Sequence, residues 1–194
     1  MRGTGRCPHM VSYQFRARDG TKVIFREPKA GDARQLMEFI NRFADEPMSG
    51  IIVNKKTTLR EERRWLAGRL KGIKDRETVM LVVESGGRIV GNCDVDRYRY
   101  KKSHRALFGI ALSEEIRGRG VGEAVMRKVI DLARHRFKGL EFIDLSAMNY
   151  NERALNLYKK VGFVEVARIP DAMKEGDLYV DEALMTLPLR PKKR

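Results

Sequence analysis

The stretch 114-EEIRGRGVGEAVMRKVI-130 decides the reading of this chain. It sets Gly118, Gly120 and Gly122 among Arg117 and Arg119, directly ahead of an amphipathic run. Glycine lets a backbone approach a ligand with no Cβ in the way and reach left-handed angles that other residues avoid. A helix N-terminus presents backbone N–H groups without partners, and its dipole favours negative charge there. Glycine turn, arginines and helix start together make an anion site, and the anion that suits it is a phosphate.

Three phosphate-binding patterns compete for these residues. A P-loop requires Gly-x-x-x-x-Gly-Lys-Ser/Thr, and no lysine or hydroxyl follows here, so it is excluded. A dinucleotide fingerprint needs a third glycine where Glu123 stands, and it should begin at the strand end, whereas five residues separate Leu112 from Gly118. The third pattern, Arg/Gln-x-x-Gly-x-Gly/Ala, is met by Arg117, Gly120 and Gly122.

Working outward, Val121, Val125, Val129 and Leu132 form one apolar stripe, and Met126, Ile130 and Ala133 form a second. They predict a helix to about Phe137 whose wide face lies against a sheet. Upstream, "RALFGIAL" reads as a strand, and "TVMLVVESGGRIVGNCDVDRYRY" as two strands around Gly86-Gly87. Leu36, Phe39, Ile40 and Phe43 recur at helical spacing behind a cap at Asp32, and Thr58-x-x-Glu61 is a capping box for the next helix. Trp65 of that helix is expected in the core. "YQFRARDGTKVIFRE" predicts a hairpin closed by the two residues Asp19-Gly20. Downstream, "FIDLSA" is a strand, "ERALNLYKKV" a helix stopped at Gly162 and opened by Asn149 with Glu152, and "FVEVARI" and "LYVDEALMTLPL" hold the last strands. The expected fold is α/β: a mixed, largely antiparallel central sheet of about seven strands flanked by about four helices. One domain is expected over residues 11–189, with a flexible extension at 1–10 and a basic tail at 190–194.

Composition narrows the function classes. The chain is 42% apolar and 34% charged, which reads as globular. No apolar run reaches the roughly 18 residues of a membrane helix, and the start lacks a signal-peptide core. Cys7 and Cys93 make no disulfide framework, and His9, His104 and His135 lack metal-ligand spacing, so a cytoplasmic setting without a metal is expected. The net charge is +14; two arginines in residues 1–10 and four cations in residues 190–194 leave +8 on the body. That charge is shared with acids along the helices, as in "LREERRWLAGRLKGIKDRE", and no zinc-finger or RNA-binding signature accompanies it. Nucleic acid is therefore not the expected partner. The overall sign favours acidic or amphoteric small partners over polycations.

With a second segment, "NYNERALNLYKKVGF", the chain resembles the GNAT superfamily of acyl-CoA-dependent N-acetyltransferases, in its RimI/RimL-like branches that modify protein N-termini. Asn151, Ala154, Tyr158, Gly162 and Phe163 match the family's Asn-x-x-Ala-x-x-x-Tyr-x-x-x-Gly-Phe segment, and the resemblance covers about residues 20–187. It implies that acetyl-CoA is the acyl donor and that a primary amine of a protein, peptide or metabolite is the acceptor. It implies a coenzyme A pyrophosphate on the loop of Arg117, Gly118, Arg119, Gly120, Val121 and Gly122, with Asn151 close by. The pantetheine arm would pair with Ile110, Ala111 and Leu112 where that strand splays from "FIDLSA". A backbone N–H there would face the thioester oxygen, and Tyr158 would be the general acid. The family does not fix the base: Asp94, Asp96, Asp144, His104, Glu46 or water remain candidates. An acyl-CoA sensor without transfer and a basic nucleic-acid-binding protein are the alternative functions, and a homodimer is compatible with the sequence.

Overall fold

Eight strands form one sheet in the order β1-β2-β3-β4-β5-β6-β8-β7 in the computed structural model, which describes residues 12–46 and 55–190. The expected extension at 1–10 and tail residues 191–194 lie outside those described. The strands are β1 (Ser12–Arg16), β2 (Lys22–Arg26), β3 (Thr78–Ser85), β4 (Arg88–Arg97), β5 (Arg105–Leu112), β6 (Phe142–Met148), β7 (Val164–Glu175) and β8 (Leu178–Pro188). Neighbours are antiparallel except β5 and β6, which run parallel. Both short stretches flanking Asp19-Gly20 join the sheet, which brings the count to eight rather than about seven.

Four α-helices cover it: α1 (Ala33–Ala44), α2 (Leu59–Lys74), α3 (Val121–Arg136) and α4 (Glu152–Val161). The two stripes of α3 are buried, with Val121, Val125, Met126, Val129, Ile130 and Ala133 packed with Leu155 and Tyr158 of α4 on one face. On the other face Leu36 of α1 and Leu66 of α2 close over Met80, Val82 and Ile89. Trp65 is 41% exposed instead of core, because its neighbour Leu66 takes the inward position at 1%.

Turns and caps follow local chemistry, with two departures. Ser85 pairs with Arg88 across Gly86 (φ +55°) and Gly87 (φ +76°), the two-residue turn that needs left-handed angles. The first hairpin is longer than expected: Arg16 pairs with Lys22, and Asp19 Oδ1 accepts from the Thr21 N–H at 3.1 Å inside a five-residue loop. Thr58 and Glu61 form the predicted capping box on α2. Asp32 stands at the N-cap of α1, but its carboxylate turns back to Arg26 at 2.7 and 3.0 Å. At α4 the cap is Asn151, whose Oδ1 accepts from the Ala154 N–H at 3.1 Å, rather than Asn149.

Candidate active site

The site begins with strand pairing that stops. β5 and β6 pair only from Arg105↔Phe142 to Leu107↔Asp144, although β5 runs on to Leu112 and β6 to Met148. The two strands therefore part over residues 108–112. Backbone direction within β5 follows from its hydrogen bonds to the β4 side. The Arg105 carbonyl accepts from the Tyr98 N–H at 3.1 Å, and the Ser113 N–H donates to the Val90 carbonyl at 2.8 Å. Odd-numbered residues thus face β4, and even-numbered ones face the gap. The Leu112 carbonyl is taken by Arg117 Nε at 2.7 Å, which leaves the main-chain groups of Ile110 aimed into the opening.

The glycine loop closes one end of this gap. Gly118 and Gly120 have φ of +80° and +85°, and Gly120 is the N-cap of α3. A Cβ at Gly118 would lie 2.7 Å from Arg153 Nη2, so the end of that side chain rests against the loop. Gly118, Gly120, Gly122, Ile110, Leu112, Arg117, Asn151 and Tyr158 all border one cavity of about 340 Å³. Tyr158 is buried among Phe108 and Phe163, with ring centroids 6.3 and 6.1 Å away. Burial first, and Cys93 second, push its phenol well above the ordinary value near 10 and keep it protonated.

The arginines are arranged differently from the expectation. Arg117 pairs with Glu46 and lies over the Phe43 ring at 5.3 Å, while Arg119 pairs with Asp19 at 2.5 Å. Arg119 and Val121 do not line the cavity, and Val121 is fully buried. Two cations that the sequence reading did not single out do line it: Arg18, from the first hairpin, and Arg153, on the first turn of α4. Neither makes an ion pair among the described residues. Arg153 was findable, two residues after Asn151 in the same motif; Arg18 lies a hundred residues upstream and carried no signal.

A second cavity of about 460 Å³ lies on the α1–α2 side, bordered by Gly109, Ile110 and Ala111 of β5 and by Asn92 and Asp94 of β4. Ile110 borders both cavities. Asp94 faces Gly109 across the ladder, and a Cβ on that glycine would sit 2.9 Å from Asp94 Oδ1. Burial raises the Asp94 carboxyl to about 7, against the pull of its partner Arg69 and with a further push from Asp96. The other candidate carboxylates, Asp96, Asp144 and Glu46, do not border this cavity. Asp96 is held by Arg69 and by the Thr78 hydroxyl at 2.6 Å. Asp144 is held by Arg105 and Thr186 at the last paired step before the gap. His104 sits at the opposite, paired end of β5 with its ring against Phe142. Glu62 of α2, unremarked in the sequence, is 6% exposed and lines the second cavity, where burial raises its carboxyl to about 7.

A parted parallel pair, a left-handed glycine turn on a helix start and a buried, protonated tyrosine thus meet at one opening. The chain belongs to the Acetyltransferase (GNAT) family, whose model matches residues 36–163. Acetyl transfer is the chemistry that the family's description names. It is 34% identical over 107 residues to the L-amino acid N-acetyltransferase AaaT of Escherichia coli K12, a match covering 54% of this chain and 65% of that one, just under two thirds. In fold it is similar to the ribosomal-protein-S5-alanine acetyltransferase of Vibrio fischeri (TM-score 0.78, 19% identity, 95% of this chain and 100% of that one). It is also similar to a phosphinothricin acetyltransferase of Sinorhizobium meliloti in complex with acetyl-CoA (TM-score 0.73, 18% identity, 86% and 88%). Among the described residues no helix is long and apolar enough to cross a membrane.

Proposed function

We propose that this chain transfers the acetyl group of acetyl-CoA directly to a primary amine of a peptide, protein or small metabolite, across the opening between β5 and β6. The observation that carries the reading is Ile110: its main-chain groups lack a β6 partner, and it borders both cavities. Acetyl-CoA supplies an activated acyl thioester. The residues fit its phosphates, since the loop from Arg117 to Gly122, with Arg18 and Arg153, combines a left-handed glycine turn, a helix start and positive charge. Ile110, Ala111 and Leu112 offer the strand edge for the pantetheine arm, and the Ile110 N–H is the donor for the thioester oxygen. One such donor is worth about 2.7–4 kcal/mol at an oxyanion site.

Asp94 is the base of choice among the candidates. It reaches the strand beside Ile110, and a carboxyl titrating near 7 suits removal of a proton from an ammonium at neutral pH. Tyr158 enters from the opposite face of the sheet and gives its phenolic proton to the departing sulfur. Asn151 contributes by capping α4 and so fixing the helix that carries Tyr158. A cytoplasmic setting is proposed for the reaction. Family membership does not favour the sensor or the nucleic-acid alternative.

The test is thiol release from acetyl-CoA with a panel of primary amines, read together with product mass. Amine-dependent release with an acetylated product is the expected result. Release that ignores the amine, or none with any amine, would overturn the proposal.

A further inference from the structure

The second cavity carries a charge opposite to that of the protein around it. The chain is +14 overall, yet the cavity is bordered by Glu61, Glu62 and Asp94, with Lys55 as the one cation among its described lining residues. Lys55 is already held by Glu61 at 3.4 Å, and Glu61 also receives the Thr58 N–H and hydroxyl at 2.9 and 2.7 Å. Asp94 has Arg69. Glu62 is left over: nine-tenths buried, lining the cavity, with no hydrogen bond or ion pair to its carboxylate among the described residues. A buried carboxylate without a partner is costly, and its natural relief is a cation or a proton. The remaining walls, Leu36, Phe39, Ile40, Trp65 and Ile110, are apolar.

We propose that Glu62 selects the acceptor: its carboxylate receives the ammonium end of an amine with an apolar or aromatic stem and no carboxylate beside the nitrogen. The inference rests on the acetyltransferase reading of the site. Asp94, on the strand next to the reacting carbonyl, takes the proton, and Glu62, on the facing helix, holds the cation on its way in. A free α-amino acid would bring its own carboxylate towards Glu62 and Asp94, and like charges side by side in a partly enclosed cavity repel. A peptide N-terminus, an amino-acid amide or an aryl-alkyl amine brings none. The local charge thus reverses what the overall charge suggested, because screening confines each exposed cation of the body to its own neighbourhood.

The matched acceptors phenylalaninamide and phenylalanine test this at saturating acetyl-CoA. The wild type should prefer the amide by roughly tenfold or more in kcat/KM, the scale of one hydrogen bond to a charged group. Glu62→Gln, checked by its melting temperature, should raise KM for the amide roughly 10- to 100-fold with kcat within a few-fold, and the preference should shrink. A wild-type preference for the free amino acid would overturn the inference. So would a folded Glu62→Gln variant with unchanged KM, which would make Glu62 a protonated wall residue. Calorimetric titration of phenylalaninamide into both proteins separates this from the reading beneath it. Binding that weakens in Glu62→Gln without any turnover in the wild type refutes acetyl transfer and keeps Glu62 as the amine's partner.

Discussion

The two cavities that meet at Ile110 are built to opposite electrical plans. The one at the glycine loop gathers Arg18, Arg117, Arg153 and Lys160 around a helix N-terminus, with Glu123 as its single acid among the described lining residues. The one under α1 and α2 gathers three carboxyls and a single lysine. In the proposed reaction a polyanionic donor and a cationic acceptor each find the matching side, and the reacting atoms meet where the sheet opens. The difference teaches that the net charge of a chain does not describe its sites. Nearly all of the +14 lies outside both cavities, on cations left over after surface pairs such as Lys71–Asp75 and Arg99–Glu77 have cancelled.

The largest effect is expected from putting the wrong charge on the donor side. Gly120→Asp adds a Cβ at a left-handed residue and a carboxylate in the phosphate cradle. Its affinity for acetyl-CoA should fall at least about 100-fold by calorimetry, since a like-charge contact costs several kcal/mol. Full affinity in a folded variant would remove the loop as the phosphate site. Tyr158→Phe comes next. It keeps the ring packed on Phe108 and Phe163 and removes one hydroxyl, so kcat should drop roughly 10²-fold while acetyl-CoA binding holds. A lowered melting temperature with normal turnover would instead make Tyr158 a packing residue.

On the acceptor side, Asp94→Asn should lower kcat by roughly tenfold or more and abolish a pH dependence. In the wild type the rate should rise with pH up to about 7, as the carboxyl loses its proton, and then level. A wild-type profile flat through that range would exclude Asp94 as the base. Smaller still, Arg153→Ala should weaken acetyl-CoA binding roughly tenfold, whereas Arg119→Ala, whose guanidinium is held by Asp19, should change it little. Equal losses would show that the ion pair with Asp19 opens when donor binds.

The smallest effect is on stability. Glu62 has a folded-state value raised from 4.5 to about 7, so its ionisation is disfavoured in the fold. Stability is therefore fully present below about 4.5 and is lost as pH rises through about 7. Glu62→Gln should melt a few °C above wild type at pH 8, and the gap should close towards pH 5. Asp94, Glu61 and Lys55 share the cavity, so the measurement is the difference between the two proteins at each pH. A gap independent of pH would mean that Glu62 does not titrate there.

What the sequence revealed was what local pattern encodes. The loop from Gly118 to Gly122, the apolar face of α3 and the capping box at Thr58 each fit within a few turns of chain, and all were legible. What escaped depends on distant pairing. Asp94 and Asp144 look alike in the sequence, each on an alternating strand. Only the fold gives Asp144 to Arg105 at the paired end of the gap and leaves Asp94 beside a cavity. Arg18 reaches the loop because the first hairpin folds over it, with the Arg18 N–H donating to the Arg119 carbonyl at 3.0 Å. Glu62 adjoins the capping residue Glu61 and reads as one more surface acid until α1 closes over it. Trp65 failed for a different reason: a helix with apolar residues at consecutive positions does not say which of them turns inward, and Leu66 does.

In the proposed reaction, donor and acceptor approach from opposite sides of the sheet and meet at Ile110. A crystal structure of the complex with acetyl-CoA tests this arrangement most directly. The pyrophosphate should lie on the backbone amides between Gly118 and Gly122 with Arg18 and Arg153 beside it. The pantetheine should run along Ile110–Leu112, with the thioester oxygen within hydrogen-bond distance of the Ile110 N–H. A pyrophosphate bound elsewhere, or a thioester directed away from the cavity of Asp94 and Glu62, would contradict it.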